Sequence, residues 1–201
     1  MGARTVMIFL FEDVEVLDFC GPFEVFSVAN ELAPTDVFRV VTVAAQLRPV
    51  RARNGLSVNP DLDIAGCPVP DLLIIPGGKG TRPLVNQPAT IEWIRRMSQS
   101  AERMASVCTG ALLLGKAGLL DGLTVTTHHR ALDLLREIAP SSTAVADRRF
   151  VDNGRIITSG GIAAGIDMSL YLVESLEGLE LAKRTAEHME YPYRPATPST
   201  S

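Results

Sequence analysis

Cys108 stands in the stretch "SVCTGALLLG" (106–115), between a short apolar run and a run rich in Gly, Ala and Leu. A nucleophile elbow needs a strand, a sharp turn at the nucleophile, a small neighbour and a helix that starts at once. Val107 ends the apolar run, Cys108 takes the turn, and Gly110 and Ala111 are small. A thiol at a helix N-terminus meets the positive end of the dipole and free N–H groups. The pattern therefore predicts a Cys108 thiol of lowered pKa. Free cysteine is also among the most buried residue types, so this spacing alone leaves Cys108 open between nucleophile and core filler. Cys20, two residues after Asp18, and Cys67, in a Gly-Cys-Pro loop, are weaker candidates.

Other polar groups fall where strands are expected to end. Asp18, in "EVLDFCGP", follows the first strand region. It reads either as a helix cap or as a carboxyl near the thiol, its pKa raised by an apolar pocket and suited to moving a proton. Gly77 and Gly78, in "IIPGGKG", form a turn that either needs positive φ or presents N–H groups to an anion. The segment has neither the Gly-Lys-Ser/Thr order of a P-loop nor a dinucleotide fingerprint. His128 and His129 follow "LTVTT", where a histidine could pair with the cysteine as a dyad or simply open a helix. Gly160 and Gly161, in "ITSGGIAAGID", form a second small-residue turn, expected to pack on the cysteine loop. His188 lies in the last helical stretch and reads as an ordinary surface position.

Elements that would hold these residues alternate along the chain. Strands are expected at 5–11, 38–45, 71–78, 103–107 and 123–127, with a hairpin over 149–159 around Asp152-Asn153-Gly154. Helices are expected at 22–32, with Pro22 in the first turn, and at 88–101, 109–120, 129–139, 163–176 and 179–190. Residues 47–60 are more polar, with room for a short strand. Continuous apolar strands alternating with helices predict an α/β fold, a mostly parallel sheet covered on both faces. Ligands in such sheets bind at the carboxyl ends of the strands, where Asp18, Gly77, Gly78 and Cys108 fall. One domain is expected over 1–191, with a loosely held Pro/Ser/Thr-rich tail at 192–201.

Of the 201 residues, 46% are hydrophobic and 21% charged, the composition of a folded globular chain. The net charge of −4 comes without a basic block, so nucleic-acid binding has no electrostatic support. No run is long and apolar enough to span a bilayer. The first apolar run ends in acids without a small-residue cleavage site and reads as a strand, not a signal peptide. Val6 stands where a myristoylation motif needs Ser or Thr. Three widely spaced cysteines without C-x-x-C point to a reducing compartment, taken as the cytoplasm, with no disulfide framework and no zinc site.

Together "LDFCGPFEVF", "DLLIIPGG", "SVCTGALLLGKAGLLDGLTVTTHH" and "ITSGGIAAGIDMSLYLV" resemble the ThiJ/PfpI superfamily, over about residues 4–191. The resemblance implies a class I glutamine amidotransferase-like, flavodoxin-like fold. It runs most strongly to cysteine-dependent isonitrile hydratases and next to the amidotransferase-like sensor domains of AraC-type regulators. It implies Cys108 as nucleophile on a strained elbow and Asp18 as its acidic partner, at a position where many members carry Glu. Thr109 matches the residue after the nucleophile in the hydratase branch, where hydrolase-like members carry His. Gly77, Gly78, Gly161 and His128 are the expected substrate- and oxyanion-binding positions. His188 and Glu190 have the spacing of an amidotransferase His-x-Glu, but Ser106 replaces the glycine expected two before the nucleophile, and the matching members do not use that segment. The resemblance further implies a homodimer acting on a small molecule, without metal or cofactor. The expected reaction is hydration of an isonitrile to a formamide through a thioimidate. The alternatives are a non-catalytic sensor, glyoxalase-like hydration, and redox sensing through a sulfenic acid. An AraC-type regulator also carries a helix-turn-helix region, and no basic helix pair is present here.

Overall fold

The computed structural model describes residues 2–195. In chain order its first elements are β1 (Arg4–Leu10), α1 (Val16–Leu32), β2 (Phe38–Ala44), the short pair β3 (Val50–Arg51) and β4 (Ser57–Val58), β5 (Leu62–Asp63) and β6 (Leu72–Ile75). There follow α2 (Thr81–Leu84), α3 (Pro88–Ser100), β7 (Arg103–Ser106), α4 (Gly110–Lys116), β8 (Thr124–Val125), α5 (Leu132–Ile138) and β9 (Thr143–Ala144). The chain closes with β10 (Phe150–Asp152), β11 (Ile156–Ser159), α6 (Ala164–Glu177) and α7 (Leu179–His188).

Seven strands form one sheet in the order β10-β11-β7-β6-β1-β2-β5. All neighbours run parallel except β10, which pairs antiparallel with β11 at the edge. The central strands read as unbroken apolar runs because both faces are covered: Val6–Leu10 of β1 and Leu72–Ile75 of β6 are buried throughout. Helices α1, α6 and α7 pack with one another, while α4 packs with α2, α3 and α5. The mostly parallel α/β architecture expected from the alternation is the one observed. No helix among the described residues is long and apolar enough to cross a membrane.

Several boundaries differ from the sequence reading. α1 begins at Val16, six residues before the expected start, so Pro22 lies inside the helix. An interior proline costs about 3 kcal/mol; burial of Phe19, Val25, Phe26, Val28 and Ala29 along the same helix offsets it. The strand expected at 123–127 shrinks to β8, which leaves the main sheet and pairs with β9. The helix expected from 109 to 120 is α4 alone, with Thr109 at its N-cap. The stretch 129–139 starts as a 3-10 turn at His129–Ala131 before α5. The polar stretch 47–60 holds a hairpin, β3–β4, closed by a turn at Arg53–Gly55. Within the segment expected to be loosely held, the Tyr193 hydroxyl bonds the Glu174 carboxylate; residues 196–201 lie outside the described residues.

Candidate active site

The carboxyl ends of β1, β6, β7 and β11 deliver four turns to one place. After β7 the chain turns at Cys108, whose φ of 56° lies in the left-handed region and is strained for a non-glycine residue. The turn is pinned from both sides. The Cys108 N–H donates to the carbonyls of Ser159 (3.2 Å) and Gly160 (3.1 Å) after β11. The Cys108 carbonyl accepts from the Thr127 hydroxyl at 2.7 Å. A Cβ on Gly110 would stand 2.0 Å from the Ile75 carbonyl oxygen, so only glycine lets α4 start this close to β6.

Asp18 comes from the first turn of α1, and Glu15, not Asp18, is the N-cap. Its side chain turns inward and is fully buried. Oδ2 accepts the Gly77 N–H at 3.0 Å, and Oδ1 has no partner among the described residues. Gly77 is the spacer between the two groups. A Cβ there would fall 2.8 Å from Asp18 Oδ2, 2.8 Å from Cys108 Cβ and 2.5 Å from the Thr109 nitrogen. The Cys108 thiol and the Ile162 N–H both lie near enough to the Asp18 carboxyl to bias its charge. Ile162 also has a positive φ, 57°, which a β-branched residue adopts only under strain.

Burial, the largest cause, pushes the Asp18 carboxyl up to about 7, with the charge of Glu15 adding to it; the Gly77 N–H holds it down. Burial and then the Asp18 charge push the Cys108 thiol up to about 12, against the pull of the Thr109 N–H. This corrects the expectation of a lowered thiol pKa. A thiol only 6% exposed beside a carboxylate loses more from desolvation than one helix turn's N–H groups return. Near neutral pH the thiol is protonated, and the carboxyl lies within its titration range.

Thr109 and Gly78 are brought together, but with each other. The Gly78 N–H, on a residue of φ 135°, donates to Thr109 Oγ1 at 3.0 Å. The Gly78 carbonyl accepts from the Thr81 hydroxyl (2.9 Å) and from Arg82 Nη1 (3.0 Å). Thr109's hydroxyl and Gly78's N–H therefore serve as a latch between the Gly-Gly turn and the elbow. The Gly78 N–H is thereby taken, whereas Thr109 faces the Cys108 sulfur with both its N–H and its hydroxyl, and each favours the thiolate.

His128 caps the 3-10 turn, its Nδ1 accepting the Arg130 N–H at 3.2 Å. Burial, then His129 and the Arg130 and Arg82 charges, lower its pKa and keep it neutral. Gly161 lies beneath its ring, where a Cβ would stand 2.3 Å from His128 Cδ2. No hydrogen bond joins His128 to Cys108 among the described residues, so the cysteine–histidine dyad does not form. His129 stacks on His128 at 4.3 Å. His188 ends α7, exposed. Cys20 is half-buried, its pKa raised by burial and Glu24; Cys67 is half-buried in its own turn.

Sequence reasoning passed over Glu15, Arg53, Thr81, Arg82 and Ile162. Only the left-handed backbone at Ile162 and the pairing of remote loops mark them, and neither is written in residue types. A cleft of about 290 Å3 lined by Phe9, Phe11, Ala44, Val50, Pro83 and Leu84 opens at the ends of β1 and β2, and Cys108 does not line it. No group of three or more His, Cys, Asp or Glu among the described residues is placed to hold a metal ion.

Comparison with known proteins places this geometry among relatives. The DJ-1/PfpI family model matches residues 4–175. An isonitrile hydratase of Pseudomonas putida is 38% identical over 196 residues, covering 96% of this chain and 82% of that protein. The transcriptional regulator CdhR of Pseudomonas aeruginosa is 33% identical over 172 residues, covering 86% of this chain; the match spans 50% of the regulator. A crystal structure of a ThiJ/PfpI family protein from Pseudomonas syringae superposes with a TM-score of 0.86 at 28% identity, covering 100% of this chain and 80% of that one.

Proposed function

This chain belongs to the DJ-1/PfpI family, and on that footing we propose that it is a cysteine-dependent lyase adding water to an isonitrile to give an N-substituted formamide. The observation that carries this reading is the pairing at one strand-end site of a buried neutral thiol, Cys108, with a carboxyl of pKa about 7, Asp18. The terminal carbon of an isonitrile must gain both a proton and a nucleophile. The thiol proton passes to the Asp18 carboxylate and on to that carbon while Cys108 Sγ bonds to it, giving a thioimidate. Asp18 then takes a proton from water as the water oxygen adds to the same carbon, and the proton goes to nitrogen. The C–S bond breaks, the formamide leaves, and the remaining water proton returns to sulfur. A carboxyl of pKa near 7 suits both directions of transfer. The Thr109 N–H stabilises the sulfur anion as it forms and leaves.

The test is turnover of a panel of aryl and alkyl isonitriles to formamides by the purified protein, with Cys108→Ala inactive. No product across the panel would remove the hydratase reading. A second reading, a small-molecule sensor, is favoured by the thiol's high pKa, which keeps it unreactive at rest. Tight binding of a small molecule with no turnover and no covalent mark on Cys108 would select it. The homodimer implied by the resemblance belongs to the same proposal and is checked by sedimentation mass.

A further inference from the structure

Arg53 lies in the turn that closes the β3–β4 hairpin. Buried Val50 and Ala52 hold the hairpin's base in the core, and Asn54 and Gly55 take positive φ to close it. The turn is tied to the active site by its backbone and by its side chain. The Arg53 N–H donates to the Val14 carbonyl at 2.9 Å, and Val14 forms a bridge with Gly78. Arg53 Nη1 donates to Glu15 Oε2 at 2.6 Å, with the two side chains 42% and 16% exposed. The Glu15 N–H in turn donates to the Gly77 carbonyl at 2.8 Å. The guanidinium is thus anchored on the residues that carry the Gly77–Gly78 turn, and that turn touches both Asp18 and Cys108.

Only one corner of the guanidinium is used. Nε and Nη2 have no acceptor among the described residues, and this is the edge that grips a carboxylate with two parallel hydrogen bonds. Two further cations stand nearby. The charged form of Arg53 is stabilised first by Glu15 and, further off, by the Cys108 sulfur and Asp13, which puts the thiol within its field. Arg82 sits on the Gly78 carbonyl, and the Arg82 and Arg130 charges both reach His128. The facing carboxylates are Glu15, already paired, Asp13, and Asp18, which is buried.

We propose that Arg53 is the specificity residue of the Cys108 site and that its open Nε/Nη2 edge holds a carboxylate on the organic group of the substrate. This rests on the reading of Cys108 as the nucleophile toward isonitriles, so the experiment has one arm that needs that reading and one that does not. In the first, kcat/KM is measured on an isocyanobenzoate and on the uncharged isocyanobenzamide. The protein should prefer the carboxylate by about tenfold or more, the worth of a hydrogen bond to a charged group. Arg53→Gln should bring the ratio to about one, and Arg53→Lys, which keeps charge but loses the planar edge, should fall between. In the second arm, iodoacetate and iodoacetamide compete for Cys108, followed by mass spectrometry of its peptide. Here too the iodoacetate preference should fall by about tenfold in Arg53→Gln. A ratio that survives Arg53→Gln, or that is absent from the unmodified protein in both arms, overturns the proposal. If no isonitrile is turned over but the iodoacetate preference depends on Arg53, the anion role stands and the hydratase reading falls.

Discussion

Replacing Asp18 by Asn removes a charge from a fully buried position, and the consequence for stability must depend on pH. The carboxyl's pKa is raised from 3.8 to about 7 on folding. Below 3.8 it is neutral in both states and the shift contributes nothing. As pH rises, the unfolded chain ionises first, so stability falls through the interval and levels off above about 7. At 1.36 kcal/mol per unit the full loss is about 4 kcal/mol. Asn keeps the shape and can still accept the Gly77 N–H, but has no such slope. The variant should therefore gain about 4 kcal/mol relative to the parent between about pH 4 and about pH 9, while its turnover disappears. Urea unfolding followed by Trp93, the single tryptophan, measures the gap at both values. A gap of the same size at both would refute the reasoning, because it would mean that Asp18 is not held neutral by burial. The same variant should lower the Cys108 pKa from about 12, since the Asp18 charge is one of its causes. Burial, the largest cause, remains and keeps it above the ordinary 9.0. The pH profile of alkylation by iodoacetamide reads this directly.

Gly77→Ala should abolish turnover and thiol alkylation alike, since its Cβ would collide with Asp18, Cys108 and Thr109 at 2.5–2.8 Å; retained activity would show that the turn is not the spacer described. Thr109→Val leaves the Gly78 N–H without its partner and should cost about 1–3 kcal/mol in urea unfolding, with Thr109→Ser restoring most of it. For the parent protein, kcat/KM should rise with pH through about 7 as Asp18 ionises and fall again toward about 12, the two steps belonging to the Asp18–Cys108 pair jointly. A profile flat across 7 would exclude Asp18 from proton transfer. His128→Asn preserves an N-cap acceptor and should retain turnover with an altered KM; complete loss would restore the dyad that the geometry does not contain.

The residue pattern by itself determined the frame. Unbroken apolar runs such as Leu72–Ile75, interleaved with helical periodicity, require a sheet covered on both faces, and they put Cys108, Gly77 and Gly160 at strand ends. It also carried the elbow as a candidate, with small Gly110 and Ala111 after Val107-Cys108, while leaving Cys108 itself open between nucleophile and core filler. The start of α1 was hidden by Pro22, whose helix-interior cost is overridden only by tertiary burial. The short strands β8 and β9 pair with each other outside the main sheet, a choice of partner that residue types do not display. Tertiary structure alone decided the electrostatics. Helix-dipole logic lowers a thiol's pKa at an elbow, but the burial of Cys108 and the carboxyl of Asp18, ninety residues earlier in the sequence, raise it. It also turned the Thr109 hydroxyl and the Gly78 N–H toward each other, and it tied Arg53, from a polar stretch read as having room for a short strand, to the residues that carry the Gly77–Gly78 turn. Apolar periodicity is a local property that the chain displays residue by residue. A pKa is a sum over neighbours, and those neighbours exist only once the strand ends have been drawn together.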